Sequence, residues 1–166
     1  MEIERKFLVT KLPEHLEDLE KKEIEQAYLC DDPVIRVRKS NEEYYMTYKS
    51  RLGIEKEETT ARVCNEVELP LTAHGYEQLK KKSEYQLIKK TRYLLGLPEG
   101  RMAELDVFHG YLSGLVFVEV EFPEEEAAKD FKKPDWFGKD VTFDPRFSNH
   151  YLSHQKEKPD FSDLVE

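Results

Sequence analysis

The sequence predicts an α+β fold: an eight-stranded antiparallel β-barrel closed into a tunnel, with a polar, charged lumen and helices packed on its apolar outside. Three observations point there. About eight segments alternate with period two, placing charged residues on one face and apolar residues on the other. Several helical segments are available besides, and in a two-sheet sandwich they would find nothing apolar left to cover. The charges are also grouped by sign along single strands, whereas a solvated face more often mixes signs to avoid like-charge neighbours. The competing sandwich, with apolar faces meeting and charges in bulk water, accounts for the alternation but not for the other two features.

Met1 to Val9 opens the chain as a strand, with Glu2, Glu4 and Lys6 on one face and Ile3, Arg5, Phe7 and Val9 on the other. Leu12 to Leu19 reads as a short helix with Pro13 early, where its missing N–H costs nothing, and Leu12, Leu16 and Leu19 as its buried stripe. Lys22 to Leu29 is a strand carrying Ile24, Gln26 and Tyr28 on one face, and Asp31-Asp32-Pro33 breaks it. Val34 to Lys39 sets Arg36 and Arg38 against Ile35 and Val37, and Tyr44 to Arg51 places Thr47 and Lys49 together. Ile54 to Thr60 fits either an acidic loop or a strand end. Ala61 to Leu69 carries Arg62, Cys64, Glu66 and Glu68 on one face and Val63, Val67 and Leu69 on the other.

Leu71 to Ser83 has helical spacing and ends in lysines, which suit the negative end of a helix dipole. Tyr85 to Leu95 is a strand with Lys90 and Arg92 on one face, and Arg101 to Phe108 one with Glu104 and Asp106. Leu115 to Phe122 alternates most cleanly, Glu119 and Glu121 against Val116, Val118, Val120 and Phe122. Glu124 to Phe131 is a helix with carboxylates in its first turn. Pro134 to Asp140 is irregular, Val141 to Phe143 extended, and Arg146 to Ser153 a last helical turn or two. Residues 1–154 thus form a single domain, and Gln155 to Glu166 a polar tail expected to fray.

A chain of 166 residues can bury a sizeable core. Its 37% charged content is high, but nine Tyr, nine Phe and regular alternation mark a folded protein. A net charge of −9 argues against a broad nucleic-acid or anionic-membrane surface and leaves room for a local basic pocket. Cys30 and Cys64 lie far apart without metal-ligand spacing, which reads as reduced thiols in a cytoplasmic protein. No apolar run approaches the ~20 residues of a membrane span.

A lumen lined in this way cannot be dry, because each unpaired buried charge costs several kcal/mol. Clustered carboxylates suit a hard divalent cation, Mg²⁺ or Mn²⁺. Clustered Arg and Lys suit phosphates. Together they suit a polyphosphate carrying its own metal, and hence phosphoryl transfer.

Glu2-x-Glu4-x-Lys6 resembles the ExExK signature of the CYTH superfamily, also called triphosphate tunnel metalloenzymes. The resemblance runs on through Arg36-Val37-Arg38, Thr47-Tyr48-Lys49, Glu66-Val67-Glu68, Lys90-Thr91-Arg92-Tyr93, Glu104-Leu105-Asp106 and Glu119-Val120-Glu121-Phe122. It reaches Arg146-Phe147-Ser148-Asn149 and so covers about Met1 to His154. It implies metal-dependent cleavage of triphosphates with Mg²⁺ or Mn²⁺ as cofactor. By position, Glu2, Glu4, Asp106, Glu119 and Glu121 resemble metal-binding carboxylates. Lys6, Arg36, Arg38, Lys49 and Arg92 resemble the triphosphate clamp, with Lys90 and Arg62 beside them. Tyr28 resembles a tyrosine that pairs with Lys6 near the leaving phosphate, although many relatives have Gly where Ala27 stands. Glu66, Glu68 and Glu104 have a supporting place.

The expected substrate is inorganic tripolyphosphate, with ATP or thiamine triphosphate as further candidates. A CYTH-type adenylate cyclase and a non-catalytic polyphosphate- or nucleotide-binding module are the alternatives, and a homodimer is left open. Plainer roles are expected elsewhere: Arg5 as a solvated or capping charge, Trp136 and Phe137 as packing, and Tyr44, Tyr45 and Tyr48 as strand fillers. Glu124 to Glu126 is expected only to start a helix, and His150 with His154 lacks a third metal ligand.

Overall fold

In the computed structural model, which describes residues 1–164, the predicted barrel is present and closed. Its strands are β1 (Glu2–Leu8), β2 (Glu20–Asp31), β3 (Val34–Ser40), β4 (Glu43–Ser50), β5 (Arg62–Pro70), β6 (Ile88–Gly96), β7 (Met102–Phe108) and β8 (Val116–Glu121). They run in the order β1-β5-β4-β3-β2-β6-β7-β8, every pairing antiparallel, and β1 closes the ring by pairing with both β5 and β8. Closure leaves no long edge, so every strand spends its backbone donors on neighbours. Three helices accompany them: α1 (Ala73–Lys80), α2 (Glu125–Asp130) and α3 (Asn149–Ser153).

The apolar faces point outward and are covered there. Tyr76 of α1 is fully buried against Ala27 and Val37, with Leu29, Tyr44 and Met46 around it. The Thr72 hydroxyl caps that helix by accepting from the Gly75 N–H. On the opposite side Ala128 of α2 joins Phe7, Val118, Val120, Phe122 and Phe137 in a second cluster. Trp136 stacks edge-on to Phe137 there, as packing. Arg5 donates to the Ala128 carbonyl at 2.9 Å and pairs with Asp140 at 2.8 Å, so it caps α2.

The third cluster has a different place. The lumen-facing residues of β1 read Glu2, Glu4, Lys6 and then Leu8, and β8 reads Glu121, Glu119 and then Phe117. On β7 Glu104 and Asp106 give way to Phe108, and on β6 Arg92 and Lys90 give way to Ile88. Leu8, Ile88, Phe108 and Phe117 form one buried cluster with Phe147 and Leu152. One end of the lumen is therefore filled by side chains, with α3 and the turn before it laid across that end. Among the described residues, the helices on the barrel's outer wall are α1 and α2, with Phe131, Trp136 and Phe137 packed beside α2.

Several local expectations are corrected. Leu12 to Leu19 is not a helix but a single 3-10 turn at Leu16–Asp18, entered through His15 at φ 61. Leu12 is exposed and Leu16 only partly buried against the core, so the proposed stripe buries too little to hold a stable helix. Val141 to Phe143 lies in a turn beside the isolated bridge Phe7–Asp140. Arg146 to Ser153 divides into a 3-10 turn, Pro145–Phe147, and α3, whose N-cap is the Ser148 hydroxyl accepting from the Tyr151 N–H. The polar tail makes contacts as far as Leu164. Phe161 and Leu164 pack against the floor cluster, and Arg146 binds the Asp160 carbonyl and the Asp163 carboxylate. For Val165 and Glu166 the expectation lies outside the described residues. No helix among the described residues is long and apolar enough to cross a membrane.

Candidate active site

The lumen holds a cavity of about 770 Å³. Among the residues singled out from the sequence, Glu2, Glu4, Lys6, Tyr28, Arg36, Arg38, Lys49 and Arg62 all line it. So do Glu66, Glu68, Lys90, Arg92, Glu104, Glu119 and Glu121. Asp106 alone does not.

Carboxylates crowd the mouth on the side of β1 and β8. Glu4 stands in register with Glu121, and Lys6 with Glu119. Burial and the facing Glu119 hold the Glu4 carboxyl well above the usual range, and burial with the Glu66 carboxyl raises Glu2. Glu121 is raised by burial and by Glu2 and Glu104. Their single strong cation is Lys49, 2.8 Å from Glu2. These groups repel one another and would ionise together only around a cation.

Cations occupy the other wall. Arg36 and Arg38 are buried on β3, side by side on one face. Arg38 donates from Nε to Gln26 Oε1 at 2.9 Å, and Arg36 from Nη2 to Thr47 Oγ1 at 3.2 Å. Arg36 Nε is buried with no hydrogen-bond partner. Burial and the nearby Arg36 and Arg92 pull the Arg38 guanidinium down to about 10. Lys90, fully buried, is pulled down to about 7 by its burial against the attraction of Asp106.

Lys6 sits just above the apolar floor. Its Nζ donates to the Phe147 carbonyl at 2.6 Å, lies 3.5 Å from Glu119, and hovers 4.4 Å over the Phe117 ring. Tyr28 lines the same depth, but its hydroxyl accepts from Gln26 Nε2 at 2.9 Å, and no bond joins it to Lys6 among the described residues. Arg62 lies at the exposed rim, 3.6 Å from Glu58, which also holds Arg51 at 3.2 Å.

Sequence reasoning missed Gln26 and Thr47 as site residues, although both lie in register with named ones. Asn149 was missed as well; its Oδ1 accepts from Lys90 Nζ at 3.0 Å and from Gln26 Nε2 at 3.2 Å. A helix-borne asparagine far along the chain carries no local signal. Cys64, 3.7 Å from Glu2, shares the wall as a thiol that burial pushes up to about 11.

The donor set facing the mouth is all oxygen and fits a hard divalent ion held by two or three carboxylates, with water completing the sphere. Among the described residues, the trio of candidate ligands already within 4.8 Å of one another is the exposed His15, Glu17 and Asp18, far from this chemistry. No three lumen carboxylates come that close together among the described residues, although Glu4 contacts Glu119 and Glu2 contacts Glu66.

The chain is 41% identical over 155 residues to a Nitrosomonas europaea protein named inorganic triphosphatase, a match covering 92% of this chain and 96% of that one. An Acetivibrio thermocellus protein of the same name is 38% identical over 155 residues, with 91% and 92% covered. A crystal structure of an inorganic triphosphatase superposes with a TM-score of 0.68 at 39% identity, covering 95% of this chain and 97% of that one. A Hippeastrum protein studied as an adenylyl cyclase, with a dominant triphosphatase activity, shares the fold at 19% identity, with a TM-score of 0.60 and 78% and 83% covered. Since residues 1–148 also match the model of the CYTH domain, the chain belongs to the CYTH family.

Proposed function

We propose that the chain hydrolyses triphosphates in a metal-dependent reaction inside this cavity, with inorganic tripolyphosphate cleaved to pyrophosphate and phosphate. The observation that carries this is the pairing of two unsatisfied walls across one blind cavity. Carboxylates that share Lys49 face the guanidinium groups of Arg36 and Arg38, which make no ion pair among the described residues, and Arg36 Nε is buried there without a partner. A triphosphate with a divalent ion satisfies both at once. The names of the relatives point to the same substrate.

In this reading Glu2, Glu4 and Glu121, with Glu119, hold Mg²⁺ or Mn²⁺. Once bound, the ion neutralises charge on the phosphoryl group during transfer. Arg36 and Arg38 grip non-bridging oxygens, Arg38 already aimed by Gln26. Lys49, Lys90 and Arg92 add charge along the chain of phosphates, and Arg62 meets it at the rim. Lys6, pinned by the Phe147 carbonyl, meets the phosphate that goes deepest, and Tyr28 orients the group attacking there. Glu66, Glu68 and Glu104 hold the cations in place. Two free thiols, one of them on the lumen wall, suit a reducing, cytoplasmic setting.

The test is phosphate release from tripolyphosphate, ATP and thiamine triphosphate with Mg²⁺, Mn²⁺ or EDTA. Metal-dependent release, fastest from tripolyphosphate, is expected, and Glu4→Gln abolishes it. Cyclic AMP appearing with pyrophosphate would make the chain a cyclase. Tight triphosphate binding without release from any of the three would leave a binding module.

A further inference from the structure

The carboxylate that resembles a metal ligand by sequence position, Asp106, is placed where a lumen ion cannot reach it. Its side chain is fully buried and does not line the cavity, whereas Glu104, one pleat nearer the mouth, does. Across the sheet Asp106 faces Phe117, and the next residue on its own face is Phe108, so the apolar floor begins beside it. Both oxygens are spent. Oδ1 accepts from Arg92 Nε at 2.8 Å, and Oδ2 accepts from Arg92 Nη2 and from Lys90 Nζ, each at 2.9 Å.

We infer that Asp106 is a positioning residue for the cations Lys90 and Arg92 and not a ligand of the metal, a proposal that rests on the triphosphatase reading above. Turning Oδ2 to an ion would take from the fully buried Lys90 its one ion pair among the described residues, and turning Oδ1 would break the paired bonds to Arg92; uncovering a buried charge is a costly way to break such a cluster. What Asp106 does instead is geometric. The two parallel bonds to Nε and Nη2 fix the plane of the Arg92 guanidinium, leaving Nη1 turned toward Glu104 at 3.0 Å. The third bond, with that from Asn149, fixes Lys90. Two like charges are thereby held side by side on the phosphate-facing wall. Asp106 is thus an anion whose two oxygens are already spent on cations.

Mn²⁺ binding to the substrate-free protein, read from the electron paramagnetic resonance of the free ion, separates the two roles. Asp106→Asn is expected to bind Mn²⁺ within about twofold of the wild type, as an independent site does, while Glu4→Gln loses binding. In the hydrolysis assay Asp106→Asn raises KM for tripolyphosphate roughly tenfold or more, since bonds between charged groups are lost, and leaves the half-saturating Mn²⁺ concentration unchanged. Should Asp106→Asn fail to fold, the charge-balanced pair Asp106→Asn with Lys90→Met takes its place in the titration. Loss of Mn²⁺ binding in the folded variant to the level of Glu4→Gln would overturn the inference. The titration needs no turnover, so it decides the role of Asp106 even if the wild type cleaves no triphosphate.

Discussion

Phe147→Ala is the sharpest probe of the sealed floor. The ring is fully buried, edge-on to Phe117 with centroids 6.5 Å apart and to Phe161 at 6.0 Å. Truncating a buried phenylalanine removes its transfer free energy and leaves a cavity, together about 3–5 kcal/mol. Against a total stability of ~5–15 kcal/mol that is a large fraction. For a chain of this size each kcal/mol moves Tm by about 2–4 °C, so the expected drop is roughly 6–20 °C. Phe143, four residues earlier and 45% exposed, is the control: Phe143→Ala is expected to stay within ~0.5 kcal/mol. Urea unfolding with a common m-value reads both. The consequence for the site follows through the backbone, because the Phe147 carbonyl holds Lys6 Nζ at 2.6 Å. A loosened turn frees that lysine, so kcat falls further in Phe147→Ala than in Phe143→Ala at a temperature where both are folded. Equal stability of the two variants would refute the sealed floor.

Two further outcomes test its surroundings. Asp144 is held low chiefly by its hydrogen bonds from Arg146, and a depressed carboxylate adds stability that is present above its unfolded pKa of about 3.9 and is lost as pH falls through the folded value. Wild type and Asp144→Asn should therefore differ in urea midpoint at pH 7, keep most of that gap down to about pH 4, and converge as pH falls further through the folded value; a constant gap would remove Asp144 from the account. Glu2 lines the mouth of the cavity, so Glu2→Gln is expected to lower activity in the phosphate-release assay, and an unchanged rate would count against Glu2 as a site residue.

Most of the barrel was legible because a strand writes its two faces into alternate residues. The charged face of β1, β3, β7 and β8 could be read directly, and the lining of the cavity follows it almost residue for residue. The floor was legible too and was passed over: Leu8, Ile88, Phe108 and Phe117 each end a charged face with an apolar residue, and four such endings at one level mean a seal. What could not be read was carried by segments without period. Nothing local ties Phe147 to Lys6 across 141 positions or Asn149 to Lys90 across 59. The Leu12 to Leu19 helix failed for the converse reason, a helical spacing whose stripe buries little beyond part of Leu16.

Depth is the variable that alternation hides. Glu2, Glu4, Asp106, Glu119 and Glu121 look alike in sequence, each a carboxylate on a strand's charged face. Near the mouth Glu2, Glu4 and Glu121 crowd one another and are pushed upward. Nearer the floor, water cannot approach from below, so each deep cation needs a counter-ion of its own. Glu119, 3.5 Å from Lys6, and Asp106, 2.9 Å from Lys90, supply them, and both are held below the usual range by those cations and Arg92 in spite of their burial. The two populations follow from where the floor lies. Carboxylates above it crowd around Lys49, and one beside it is already spent on a lysine of its own. Glu119 is in register with Lys6, one step below Glu121, and still lines the cavity; under the proposed function it would serve both the ion and the cation that meets the deepest phosphate.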